Sequence, residues 1–144
     1  MKTIVLLALL FTLSLSGCGK GRTTNTVSSQ FNTLAEKQAF LERYVQFRRS
    51  YDDLHFYISF NDGGSGMVPG PTEWNICVLA VVSAKELDQW IVGLSETTNP
   101  DTTWTTYIPG APADLKGFKW YVDDRRTVGV DRANRIVLYQ NHAS

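Results

Sequence analysis

His55 lies two residues beyond Asp53 and three beyond Asp52, and an imidazole beside a carboxylate is the pair a general base needs. A base alone does no chemistry, because a hydrolase also needs a positioned nucleophile and an oxyanion site, and no spacing in the chain supplies either. His55 is therefore read as a strand residue with a polar side chain, and a small hydrolase using it with Asp52 or Asp53 is the weakest functional reading. His142 stands two residues from the end of the chain, where fraying is the rule. Gly63-Gly64-Ser65-Gly66 could turn backbone amides toward an anion, but it lacks the Lys-Ser/Thr of a phosphate loop and does not open a helix. It is expected to be a loop that offers a contact surface. Cys77, between Ile76 and the apolar run Val78 to Val82, reads as a small core side chain, with no His/Asn motif beside it to make it a nucleophile.

Two groups of residues could bind rather than react. Trp104, Tyr107, Trp120 and Tyr121 fall on late segments expected to be strands, where an aromatic face could meet a protein or stack on sugar rings. Trp120 and Tyr121 are adjacent, so strand alternation sends them to opposite faces. Asp123, Asp124, Arg125, Arg126, Asp131, Arg132 and Arg135 make a mixed-sign rim in the final turns. Arg125 and Arg126 in that rim are candidates for setting partner specificity.

Composition narrows the classes. The 144 residues carry 14 Lys and Arg against 14 Asp and Glu, a balance that argues against a nucleic-acid partner. Two cysteines and two histidines give neither a disulfide framework nor a Cys/His zinc cage, so no metal or cofactor is expected.

The chain opens with Met1-Lys2, an uncharged run from Thr3 to Leu15, and then Ser16-Gly17-Cys18, the order of a secretory signal. Thirteen helical residues would rise roughly 20 Å, short of the ~30 Å hydrocarbon core. Leu15-Ser16-Gly17-Cys18 resembles the lipobox of bacterial lipoproteins. That resemblance implies diacylglycerol on the Cys18 thiol, cleavage before Cys18, acylation (palmitate among the acyl groups) of the new amino terminus, and a membrane contact made through that lipid. Gly19 in place of Asp lacks what resembles the enterobacterial inner-membrane retention signal, so the outer membrane facing the periplasm is favoured, with the inner membrane as the alternative. With Cys18 lipidated, Cys77 is a lone thiol. Without residues 1–17 the chain has 127 residues, 13 basic and 14 acidic side chains.

Residues 18–30, rich in Gly, Thr, Ser and Asn, read as the lipidated cysteine and a flexible tether of up to ~40 Å, and 31–144 as one globular domain. Thr33-Leu34-Ala35-Glu36 is a capping box that opens a helix expected to run to Arg49 or Ser50, and Ser83-Ala84-Lys85-Glu86 opens a second. Leu54, Phe56, Ile58 and Phe60 alternate with His55, Tyr57 and Ser59 as a half-buried strand, and Trp74 to Val82 is apolar on both faces, as an inner strand would be. Thr102 to Ile108 has strand composition, and Phe118–Val122, Thr127–Val130 and Ile136–Gln140 read as a meander. The expected class is α+β: two helices on a largely antiparallel sheet of about five to six strands, ending in a β-meander. The expected function is a lipid-anchored, non-catalytic domain that binds a periplasmic or envelope protein, in layout like immunity or inhibitor lipoproteins. A peptidoglycan or glycan binder is the alternative.

Overall fold

A computed structural model describes residues 23–63 and 72–143. Its centre is one antiparallel sheet of seven strands: β1 (Thr23–Val27), β2 (Asp53–Asp62), β3 (Thr72–Val81), β4 (Ser95–Thr97), β5 (Lys119–Val122), β6 (Arg126–Asp131) and β7 (Ile136–Ala143). Across the sheet they run β1-β2-β3-β7-β6-β5-β4. A three-strand meander and a four-strand meander thus join along the β3–β7 pair, which runs in register from Trp74 opposite Ala143 to Val81 opposite Ile136.

The expectation of two helices on five to six strands is corrected. Among the described residues there is one α-helix, α1 (Leu34–Leu41), with short 3₁₀ helices at Ser28–Gln30, Ala84–Trp90 and Thr103–Tyr107. The capping box at α1 forms in full: the Glu36 amide donates to Thr33 Oγ1 at 3.2 Å, and the Thr33 amide donates to Glu36 Oε2 at 3.0 Å. The Thr33 and Asn32 amides, both donating to the Glu36 carboxylate, hold it below its ordinary range. The helix stops at Leu41 rather than near Arg49, and beyond it Arg48 takes a φ of +51° as the chain turns toward β2.

The second capping-box sequence fails, because Ser83 makes no side-chain cap bond. Leu87 and Trp90, both buried, are three residues apart, and a 3₁₀ helix eclipses that spacing as readily as an α-helix stacks it. The apolar spacing therefore did not distinguish the two. The expected strand at Thr102–Ile108 is also 3₁₀. Its threonines bond back to their own turn, Thr105 Oγ1 to Thr102 O at 2.9 Å and Thr106 Oγ1 to Thr103 O at 2.7 Å, and such local bonds compete with a sheet ladder. Residues 23–27, expected in the tether, pair with β2 from Thr23 opposite Asn61 to Val27 opposite Tyr57.

The sheet buries apolar side chains on both faces. On the helical face, Phe56, Leu54, Ile58, Val78, Val128 and Val137 are fully buried under α1 and the 84–90 helix. Phe40 of α1 stacks on Phe56 at 5.8 Å, and Phe47 lies edge-on to Tyr139 at 4.9 Å. On the opposite face Cys77, Leu79 and Leu138 are sealed by Trp104, Ile108, Phe118 and Trp120. Gly129 admits this second layer, since a Cβ there would lie 2.6 Å from Cζ3 of Trp120.

Candidate functional site

The period of two along each strand assigns the opposite face its residues. On β2 these are His55, Tyr57, Ser59 and Asn61; on β3, Glu73, Asn75, Cys77 and Leu79; on β7, Leu138, Gln140 and His142. Register lines them up in rows: Ser59 opposite Asn75 opposite His142, and Tyr57 opposite Cys77 opposite Gln140. The apolar end, Leu79 and Leu138, lies under the 103–118 segment. Asp101 pins that cover, accepting from the Thr103 amide at 2.9 Å and the Thr103 hydroxyl at 2.7 Å, while Trp104 Nε1 donates to the Asp101 carbonyl at 2.8 Å. These bonds to Thr103 hold the Asp101 carboxyl below its ordinary value.

The polar end of this face carries no such cover among the described residues. It forms an open cleft of about 340 Å³ lined by Ser59, Asn61, Glu73, Asn75, Gln140 and His142, with Trp74 and Ala143 at its margin. Asn75 is its pinned centre. Gln140 Nε2 donates to Asn75 Oδ1 at 2.9 Å, and the Cys77 thiol donates to the same oxygen at 3.3 Å. Burial pushes the Cys77 thiol up to about 12, so it stays protonated and remains a donor. With both bonds on Oδ1, the Asn75 amide nitrogen turns away from the core. On the same face of the sheet, Tyr107 is 55% exposed and stacks one ring face on Tyr57 at 5.2 Å and 24°.

No family model, curated protein or solved structure matches this chain. What the site can do therefore follows from its own chemistry: side-chain amides, a hydroxyl, one carboxylate and one imidazole around an open cleft.

The residues singled out from the sequence are dispersed. Trp104 is 2% and Trp120 7% exposed, packed edge to face at 6.3 Å, so both are core. Tyr121 is half-buried against the helical-face core. Of the four aromatics only Tyr107 offers a ring to solvent, because the 103–107 segment folds onto the sheet instead of extending it. Arg125 is exposed on the β5–β6 turn, whereas Arg126 Nε donates to Asp123 Oδ2 at 2.7 Å. Burial raises the Asp123 carboxyl, but the Arg126 guanidinium and two turn amides more than offset it and leave it below its ordinary value. The two arginines share a shallow cleft of about 420 Å³ with Asp123, Asp124 and Asn141 on the far side of the sheet end.

His55 Nε2 lies 3.0 Å from Asp53 Oδ2, while Asp52 turns to Arg135 at 3.2 Å, so the second carboxylate is committed elsewhere. Burial raises the Asp53 carboxyl, and the Leu54 amide and His55 ring reverse that, leaving it lowered. Cys18, with the rest of residues 1–22, and Gly64 to Gly66 lie outside the described residues. Among the described residues no group of three His, Cys, Asp or Glu converges as a metal site, and no helix is long and apolar enough to cross a membrane.

Sequence reasoning missed Ser59, Asn61, Asn75 and Gln140. Their signal was present: Glu73 and Asn75 interrupt one face of an otherwise apolar β3, and Gln140 and His142 do the same on β7. Two polar breaks on paired strands mark the place where a sheet face leaves its core.

Proposed function

We propose that the protein is a lipid-anchored lipoprotein of the bacterial envelope whose domain is a non-catalytic binding module. The leader supports the anchor through Leu15-Ser16-Gly17-Cys18 and its resemblance to a lipobox. The observation that carries the binding role is the open polar half of one sheet face, held on a sheet that has a core on both sides. A rigid scaffold with pinned polar groups loses little freedom when a ligand arrives. A partner protein of the inhibitor or immunity kind, the reading from layout, would meet the exposed Arg125 turn and the β1 edge instead of the cleft.

Because β1 starts at Thr23, Cys18 stands at most roughly 18 Å from the sheet at full extension. That replaces the ~40 Å reach read from composition. Since the end of β1 at Thr23 pairs with Asn61, an anchor at Cys18 would put the amide-lined cleft at the membrane-proximal end of the domain.

Cys18→Ala should abolish acylation and leave an uncleaved or soluble precursor. Metabolic labelling with palmitate, together with fractionation of the envelope, tests this. Unchanged labelling and membrane fractionation in the variant would overturn the anchor.

A further inference from the structure

The cleft's polar groups have defined orientations. Both acceptor positions of Asn75 Oδ1 are used by Gln140 Nε2 and the Cys77 thiol. The amide nitrogen of Asn75 and the carbonyl oxygen of Gln140 have no protein partner among the described residues, and neither is sealed in the core. A donor and an acceptor on two bonded side chains thus line the same cleft, with Ser59 and His142 in the same register row as Asn75. Neighbouring hydroxyls on a pyranose ring present the complementary pair, each able to donate and accept.

An aromatic platform lies on the same face of the sheet, one register row from the cleft. Tyr107 has one ring face stacked on Tyr57 and is 55% exposed. Tyr57 is one step along β2 from Ser59, on the same face. A sugar's C–H face can lie on such a ring while its hydroxyls reach the amides. Charge does not call for an anionic ligand: among the described residues Glu73 and His142 are the ionisable side chains on the cleft wall, and no Lys or Arg lines it. The cleft's volume of about 340 Å³ falls in the ~300–1,000 Å³ range of small-ligand sites. A protein interface would want ~800 Å² per partner around central aromatic or arginine anchors, and the centre of this cleft has neither.

We propose that this half-face is a saccharide-binding site, with Tyr107 as the stacking platform, Asn75 and Gln140 as the groups that read ring hydroxyls, and Cys77 as the positioning residue that holds Asn75. The proposal rests on the reading of the domain as a binding module. The membrane-proximal location that an anchor at Cys18 would give it leaves two sources for the sugar, the murein glycan or the headgroup of a membrane glycolipid.

The test is calorimetric titration of the full-length protein, purified in detergent, with chitotetraose and with soluble muropeptides. A parallel arm measures cosedimentation with phosphatidylethanolamine vesicles with and without lipopolysaccharide. Saturable binding is expected in at least one arm. Muropeptide binding alone assigns murein and lipopolysaccharide-dependent cosedimentation alone assigns glycolipid; either result upholds a saccharide. Tyr107→Ala, at an exposed position that the fold does not need, and Asn75→Ala should each weaken binding about tenfold. Cys77→Val, which keeps an apolar core side chain but removes the donor, should weaken binding severalfold with the unfolding midpoint little changed. Absence of saturable binding by folded protein, or binding indifferent to Tyr107→Ala and Asn75→Ala, would overturn the proposal. If sugars fail but the same face captures an envelope protein sensitive to Asn75→Ala, the saccharide is refuted and the binding module stands.

Discussion

The two faces of the sheet are used differently. The helical face is packed over most of its length: Phe31 and Phe40 cover Phe56, Trp90 and Phe47 meet Tyr139, and Tyr44 carries the aromatic layer out to Phe60 at 5.2 Å, where a small apolar cleft of about 220 Å³ remains beside Trp74 and Ile76. Among the described residues the opposite face is packed over one half only, under Trp104, Ile108 and Phe118, and then changes within one register step from Cys77 to Asn75. Stability is therefore concentrated on one face and half of the other. The remaining half is free to meet a ligand because no residue there is needed to close a core.

Truncations in the packed regions should have the largest effect. Phe56→Ala on the helical face and Trp104→Ala under the opposite cover should each cost about 3–5 kcal/mol in denaturant unfolding. A loss for Trp104→Ala below about 1 kcal/mol would mean that the second layer is not a core. Gly129→Ala comes next, because its Cβ meets the Trp120 ring at 2.6 Å and overpacking of that kind costs about 1–3 kcal/mol. Retained stability would show that the ring can move aside and that the half-cover is loose.

The turn between β6 and β7 makes a contribution to stability that depends on pH. The Asp131 carboxylate accepts from the Asn134 side chain at 2.6 Å and from the Ala133 and Asn134 amides at 3.0 and 3.2 Å. Those bonds, the Asn134 side chain foremost, hold its carboxyl below the ordinary range. A carboxyl depressed on folding contributes stability above its unfolded pKa and loses it as pH falls through the folded one. Asp131→Asn should therefore destabilise by about 1–2 kcal/mol at neutral pH and flatten the acid limb of the stability profile below pH ~4. An unchanged acid limb would refute the role of this turn. Thr33→Ala, which removes one arm of the capping box on the helical face, should cost about 1 kcal/mol.

What the sequence made legible follows from which bonds are local. The β2 alternation, the α1 capping box and the turn between the strands at Thr127–Val130 and Ile136–Gln140 depend on residues a few positions apart, and they stand where the pattern puts them. The 84–90 and 103–107 segments were misread because Leu87/Trp90 spacing suits two helix types and because threonine favours strands until its hydroxyls find their own carbonyls. The aromatic surface expected from Trp104 and Trp120 dissolved for the same reason: once Thr103–Tyr107 folds over the sheet, Trp104 becomes its lid. The cleft itself is a product of register between β2, β3 and β7, strands separated by up to 65 residues in the Asn75–Gln140 bond, and composition carries no register.

The most direct measurement is the unfolding free energy of the double variant Asn75→Ala/Gln140→Ala, set beside Phe56→Ala. If the open half-face serves a ligand and not the fold, the double variant should unfold within about 1 kcal/mol of the parent protein. A loss of about 3 kcal/mol or more, equal to that of a buried phenylalanine, would make the amide band part of the core and contradict its assignment as a binding surface.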